Sequence, residues 1–184
     1  MRFLISILVF IALMSLSLKV VAQDKDFAAF VETKSGDTIH VQKIRDHRHF
    51  WQKERRYVLR LQNGEKKKIL ASDVLTYGKM DRGHLVIYKI VEVQQSSGST
   101  YLREMQIVER GKITLLREWH EGNSWLYVES PYYTGYLESK EEISNMLDYL
   151  NSCHSFKRKF KNENSVKYRS LPKVIAFYNK HCQN

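Results

Sequence analysis

Between residues 27 and 137, hydrophobic and polar side chains alternate with a period of two along much of the chain. For example, Tyr57, Leu59 and Leu61 fall on one side of an extended segment and Arg60 falls on the other. This alternation is typical of a β-strand with one buried face. The predicted strands are 29–32, 38–44, 57–62, 65–70, 85–93, 101–109, 112–119 and 125–129.

Turn residues separate these predicted strands at short intervals. Ser35-Gly36-Asp37 predicts one hairpin turn, and Asn63-Gly64 predicts a second of type I′, because this dipeptide accepts positive φ angles. Short strands joined by close turns pair mainly with their sequence neighbours in antiparallel fashion. We therefore expect a curled antiparallel sheet or a partly open barrel.

After residue 138 the hydrophobic period changes to that of an α-helix. Ser139 and Glu142 have the spacing of a capping box, and a second helix is expected to begin near Ser170 with Pro172 in its first turn. Residues 157–161 are interpreted as a charged continuation or linker. The apolar positions are Ile143, Met146, Leu147 and Leu150 in the first helix, and Leu171, Val174, Ile175 and Tyr178 in the second. The fold class predicted is α+β, with the sheet followed by a C-terminal two-helix hairpin.

The first 22 residues have the order of a secretory signal peptide. Arg2 provides a positive start, Phe3–Leu18 is almost entirely apolar, and Val20-Val21-Ala22 offers the short residues that precede a cleavage site. An uncleaved anchor is the alternative, but the apolar run ends before Lys19 and is shorter than the ~20 residues of a spanning helix. We therefore expect export to the periplasm or the medium after cleavage near Ala22, and no transmembrane segment in the mature chain.

The expected mature chain, residues 23–184, has the length of one domain with a sizeable core. We expect a single α+β domain, β-rich over about 27–137 and helical over 139–182.

The full chain carries 30 Lys and Arg against 20 Asp and Glu, a net charge of +10. This balance indicates a solvated basic surface, and the alternative is weak attraction for an anionic partner such as an anionic glycan or lipid headgroups.

The chain contains two cysteines, Cys153 and Cys182. Each lies seven residues past an apolar position of its helix, Met146 and Ile175 respectively, so two helices packed through those faces would bring the thiols together. An exported chain with two cysteines most simply pairs them in a disulfide. The alternative is a pair of buried free thiols.

Recognisable catalytic motifs are absent from the sequence, so we predict no catalytic residue, no cofactor and no metal. Asp46-His47-Arg48-His49, with Glu54, is the one metal-like segment, but the basic residues around it disfavour a divalent cation. The same segment better suits a polyanion, because cations neutralise phosphates or sulfates and aromatic rings stack on bases or sugars. The predicted polyanion-binding residues are Lys43, Arg45, Arg48, Phe50, Trp51, Lys53, Arg55 and Arg56, with 66–68 and 157–159 as extensions. The alternative is a loop anchored by its two aromatic residues.

A second group of aromatic residues predicts a groove for a sugar or a lipid. Its members are Trp119, Trp125, Tyr127, Tyr132, Tyr133 and Tyr136. Aromatic residues in such numbers also serve as packing beneath helices, which is the alternative interpretation.

The leader, the predicted meander with Gly-Lys-Ile-Thr-Leu-Leu at 111–116, and the ending Tyr178-Asn-Lys-His-Cys182 resemble a loose class of uncharacterised exported proteins of Gram-negative bacteria. The resemblance implies export and supports the terminal cysteine, and it transfers no catalytic residue. We expect an exported, non-enzymatic binding or envelope-associated protein. The alternatives are an adaptor or assembly component that binds another protein, and an unrecognised hydrolase.

Overall fold

The computed structural model describes residues 29–47, 54–94, 98–160 and 166–182. The strands in these ranges are β1 (Ala29–Thr33), β2 (Thr38–His47), β3 (Arg56–Leu61), β4 (Lys66–Leu70), β5 (Val74–Asp81), β6 (His84–Gln94), β7 (Thr100–Glu109), β8 (Thr114–His120), β9 (Asn123–Glu129) and β10 (Thr134–Tyr136). The helices are α1 (Lys140–Leu150), α2 (His154–Phe160) and α3 (Leu171–His181). The predicted α+β class, an antiparallel sheet followed by helices, is confirmed. The curled or barrel-like form and the single domain stay predictions.

Contacts divide the chain into two compact units, one ending at Leu85 and one beginning at Val86. In the first unit the strand order is β5-β1-β2-β3-β4, and every neighbouring pair is antiparallel. The buried hydrophobic residues of this unit are Ala29, Val31, Val41, Tyr57, Leu59, Ala71, Val74 and Tyr77. In β3 the buried Tyr57 and Leu59 alternate with the half-buried Arg56 and Val58 and the exposed Arg60, as the sequence pattern predicts.

A β-bulge in β2 decides which side chains of that strand face outward. Val41 pairs with Leu61 and Lys43 pairs with Arg60, so Gln42 is an extra residue on β2. Strict alternation from the buried Val41 would place Lys43 on the buried side. The extra residue reverses that alternation, and Lys43 is exposed.

The second unit contains the meander β6-β7-β8-β9-β10, in which each strand pairs with the next in antiparallel fashion. One side of this sheet packs against all three helices, and the opposite side carries a smaller apolar cluster. The helix-covered core includes Ile113, Leu115, Leu126, Val128, Leu137, Met146, Leu150, Phe156, Leu171, Val174, Ile175 and Tyr178. Every helix position predicted to be apolar belongs to this core or packs against it.

The predicted starts of the first and last helices are confirmed. The backbone N–H of Glu142 donates to Ser139 Oγ at 3.1 Å, and the N–H of Ser139 donates to Glu142 Oε2 at 2.8 Å, which completes the capping box. α3 begins at Leu171 with Pro172 in its first turn, where the missing N–H has no helical partner to lose.

The prediction of two helices is wrong in number, because the separate helix α2 covers most of the segment interpreted as a charged continuation or linker. Phe156 is 1% exposed, and its ring lies 4.6 Å from that of Phe160 and 6.4 Å from that of Phe177. Two phenylalanines four residues apart lie on one face of a helix, and this pair anchors α2 to α3. The basic residues between them, 157–159, lie at exposed positions.

The predicted disulfide between Cys153 and Cys182 is confirmed, with 5.9 Å between the Cα atoms. A second attachment joins α3 to the segment before β8. Asn179 Nδ2 donates to the carbonyl of Ile113 at 2.7 Å, and the N–H of Ile113 donates to Asn179 Oδ1 at 2.9 Å. A Cβ atom added to Gly111 would lie 2.5 Å from Asn179 Cγ, so only glycine leaves room for this contact.

The remaining differences concern one turn and two strands. Gly64 has φ 85°, but Asn63 does not have a positive φ, so the predicted type I′ turn is wrong. β5 and β10 were not predicted. The predicted signal peptide, 1–22, lies outside the described residues.

Candidate functional site

A row of three cations crosses three neighbouring strands of the first unit. Lys43 on β2 pairs directly with Arg60 on β3, which pairs directly with Lys66 on β4. Residues directly opposite each other in antiparallel strands project from the same side of the sheet. Since adjacent strands lie about 4.8 Å apart, the three Cα atoms of this row extend over roughly 10 Å.

A second row lies two residues farther along the same side of the sheet. It contains Arg45, Val58 and Lys68, again in direct cross-strand register. Two residues of extended chain span about 6.6 Å, which is the distance between the rows. The five cations of the two rows are all exposed, and we call them the basic face: Lys43, Arg45, Arg60, Lys66 and Lys68.

The opposite side of the same strands explains why the basic face stays turned to solvent. There Leu59 and Tyr57 are buried, in register with Ile44 and Ile69. A one-residue shift in register would move these apolar residues into water and the cations into the core. Exposing the apolar residues and burying the charges would both cost free energy. Lys67 falls on that opposite side, so the run 66–68 does not act as one patch.

No carboxylate in the described ranges forms an ion pair with a member of the basic face. Asp46 instead pairs with Arg55 at 2.9 Å, and Glu54 pairs with Arg56 at 3.4 Å. Like charges directly opposite each other on adjacent strands destabilise a sheet. Within the described ranges, the basic face therefore carries positive charge that no ion pair neutralises and that a bound anion would neutralise.

The residues predicted to bind a polyanion are only partly brought together. Lys43 and Arg45 belong to the basic face, whereas Arg55 lies 5.2 Å from the centre of the Tyr57 ring and pairs with Asp46. Arg48, Phe50, Trp51 and Lys53 lie outside the described residues. Sequence reasoning missed Arg60. Counting back from the predicted two-residue turn at 63–64 would place Arg60 opposite Lys67, whereas the observed register pairs it with Lys66.

The six aromatic residues predicted to line one groove lie in three places. Tyr132 and Tyr133 line a groove beside α1. Tyr127 and Tyr136 lie on the sheet side away from the helices, with their rings 5.0 Å apart in a T-shaped contact. The other two are at the β8–β9 hairpin, where Trp119 is 60% exposed and the ring of Trp125 lies 6.3 Å from that of His120.

A polar network accompanies Tyr136 on the sheet side away from the helices. The Tyr136 hydroxyl donates to Glu118 Oε2, and Arg103 Nη1 lies 3.3 Å from Glu118 Oε1. Burial, and then this hydrogen bond to Glu118, raise the pKa of Tyr136 far above its ordinary value. The phenol therefore keeps its proton at neutral pH, and the buried carboxylate has its charge matched by Arg103. These contacts stabilise the fold and do not resemble a poised acid–base pair.

The described ranges contain no group of three His, Cys, Asp or Glu residues able to hold a metal ion. His49, one of the two histidines of the metal-like segment 46–49, lies outside those ranges.

None of the helices between residues 29 and 182 that the structure describes is long and apolar enough to cross a membrane.

Comparison of the chain with protein-family models, with curated proteins and with solved structures finds no match. The assignment of function therefore depends on the geometry of the site itself.

Proposed function

We propose that this chain is an exported, non-enzymatic binding protein that attaches to membrane surfaces containing anionic lipids through the basic face. The observation that carries the proposal is the row Lys43–Arg60–Lys66, three exposed cations in direct register without a carboxylate partner among the described residues. Like charges in direct register destabilise the free protein. We expect such a row where a bound anionic partner neutralises the charges and so stabilises the complex.

The form of the basic face favours headgroups over a nucleic acid strand. Proteins that bind single strands place aromatic rings between their cations. On the basic face the residue between the cations of the second row is Val58, which offers no ring for stacking. Two parallel rows of charge on a sheet instead match a layer of headgroups, where each Lys or Arg contributes about 1 kcal/mol. Five cations then supply a binding free energy of roughly 5 kcal/mol, which corresponds to reversible attachment to the membrane.

Two features support export. The Cys153–Cys182 disulfide is a feature typical of an oxidising compartment. The leader at 1–22 has the order of a secretory signal, and its cleavage would leave 28 basic and 20 acidic residues, a net charge of +8. Periplasmic or secreted localisation is therefore part of the proposal.

The experiment is cosedimentation of the purified protein with vesicles of the neutral lipid digalactosyldiacylglycerol that contain or lack phosphatidylglycerol. The test variant is Lys43→Gln/Arg60→Gln/Lys66→Gln. Losing three cations at about 1 kcal/mol each should weaken partitioning to the anionic vesicles about 100-fold. The matched control is Lys157→Gln/Arg158→Gln/Lys159→Gln, which removes the same net charge from exposed positions of α2.

If the control variant loses as much affinity as the test variant, net charge and not the basic face causes binding, and the proposal fails. Measuring binding to heparin as well distinguishes a lipid surface from a soluble anionic polymer as the partner. Binding to heparin but not to anionic vesicles would replace the lipid surface with an anionic glycan. Binding that is unchanged by salt would also contradict the proposal, since screening must weaken it.

A further inference from the structure

The second unit contains a groove of about 620 Å³ between α1 and the turn that joins β9 to β10. It has no residue in common with the basic face. The lining residues that matter here are Tyr132, Tyr133, Glu142, Asn145, Asp148 and Tyr149. Glu142, Asn145 and Asp148 are spaced three residues apart on α1, so they follow one side of the helix.

The aromatic wall of this groove is held in place before any ligand arrives. Ser130 Oγ accepts from the N–H of Tyr133 and donates to its carbonyl, both at 2.9 Å, which fixes the turn. The Tyr133 hydroxyl donates to the carbonyl of Tyr136 at 2.7 Å. Tyr132 is 74% exposed, yet its ring stacks on Tyr149 at 5.2 Å with 14° between the ring planes. An exposed ring that is already ordered loses little entropy on binding.

The electrostatics of the groove are opposite in sign to those of the whole chain. Its charged lining residues are Glu142 and Asp148, and no Lys, Arg or His is among the described residues that line it. Glu142 Oε2 accepts from the N–H groups of Ser139 and Glu138, and these hydrogen bonds lower its pKa, so it is ionised at neutral pH. The faces of tyrosine rings also carry negative electrostatic potential. The two carboxylates and the tyrosine rings of the groove attract a cation locally, although the chain as a whole carries a net charge of +10.

We infer that this groove binds an organic ammonium group, with the ring of Tyr132 against the cation and Asp148 as its counter-charge. An ammonium over an aromatic face is stabilised by the ring quadrupole. An alkylated ammonium fits better than a metal ion, because the groove presents aromatic surface as well as a carboxylate. This site is separate from the basic face, and it stands if the membrane proposal fails.

The test compares choline with 3,3-dimethylbutan-1-ol, which has the same shape without the positive charge. Binding is followed by NMR chemical shifts of the purified protein during titration with each compound. We expect saturable binding of choline and at least about fivefold weaker binding of the neutral alcohol. Equal binding of the two compounds, or no binding of choline, would overturn the inference.

Variants place the site. Tyr132→Ala should weaken choline binding about fivefold, whereas Tyr132→Phe should keep it, because phenylalanine retains the ring. Asp148→Asn should weaken choline and leave the neutral alcohol unchanged. Trp119→Ala is the matched control, since Trp119 is an exposed aromatic residue of the same unit outside the groove. If Trp119→Ala weakens choline binding as much as Tyr132→Ala, the cation lies elsewhere and the groove assignment is wrong.

Discussion

Arg60 occupies the centre of the cation row, so removing its charge should make the free protein more stable. Lys43 and Lys66 lie directly opposite it on the two neighbouring strands. In the unfolded chain these three charges separate and their repulsion falls. The substitution Arg60→Gln therefore relieves two repulsive contacts that exist mainly in the folded state.

The expected gain can be worked from the register. Strands lie about 4.8 Å apart, and long side chains that splay apart in water place their charged ends about 7 Å from each other. Two unit charges at that distance in water repel by about 0.6 kcal/mol, so the two neighbours together contribute about 1.2 kcal/mol before screening. With Debye lengths of about 30, 8 and 3 Å at 0.01, 0.15 and 1 M salt, the screened total is about 1, 0.5 and 0.1 kcal/mol respectively.

Urea denaturation at these three salt concentrations is the assay, and Arg60→Lys is the control because it keeps the charge. We expect Arg60→Gln to exceed Arg60→Lys in free energy of unfolding by about 1 kcal/mol at the lowest salt and to match it at the highest. A glutamine variant no more stable than the lysine variant at low salt would refute the reasoning. So would a difference that grows with salt.

Three further predictions concern the second unit. Cys182→Ser should lower the free energy of unfolding by about 3–4 kcal/mol in urea without added reductant, because the disulfide to Cys153 closes a loop of about 30 residues, and an equal midpoint for both proteins would contradict this. Asn179→Ala should cost about 2–4 kcal/mol, because it leaves both backbone groups of Ile113 buried without their partner, and a loss below about 1 kcal/mol would show that water replaces the amide. Glu142 has a folded pKa below its ordinary value, so its contribution is complete above about pH 4.5 and is lost as pH falls through the folded pKa. Glu142→Gln should remove this part of the acid dependence of the melting temperature, and an unchanged dependence would contradict the assignment.

The sequence pattern predicted most strands, because one buried face imposes a period of two. β5 was missed because that period fails within it. Thr76, Tyr77 and Gly78 are buried one after another, and Glu32 Oε2 accepts a hydrogen bond from the hydroxyl of Thr76. A polar residue buried through a partner 44 positions away has no local signature. The tertiary contact, and not the local pattern, places this strand.

The helix α2 was missed for a different reason. Its two phenylalanines are too few to establish a helical period by themselves, and three consecutive basic residues lie between them. Their partner, Phe177, is on α3, and its ring makes an edge contact with Phe160 at 5.3 Å. The local sequence contains the two phenylalanines, but a helix as short as 154–160 is stable only because they pack against α3.

The basic face shows how little of a site on a sheet can be predicted when a bulge precedes it. The sequence showed that Lys43 and Arg45 are cations near other cations, and this part of the candidate site was predictable. It could not show that Gln42 reverses the alternation of β2, so that Lys43 shares a side with Arg60 and Lys66. A one-residue change in register would place each of these side chains on the opposite side of the sheet.

Protection of a sheet edge gives another reason for exposed lysines, and the positions in the sheet separate the two explanations. Lysines on an edge strand discourage pairing with other chains, and β4 ends the strand order in the described part of the first unit. Edge protection therefore accounts for Lys66 and Lys68. It does not account for Arg60, because β3 is paired with β2 on one side and with β4 on the other at that residue. Since the repulsion at Arg60 has no protective value on an interior strand, the anion that the row would bind is the explanation that covers all three positions.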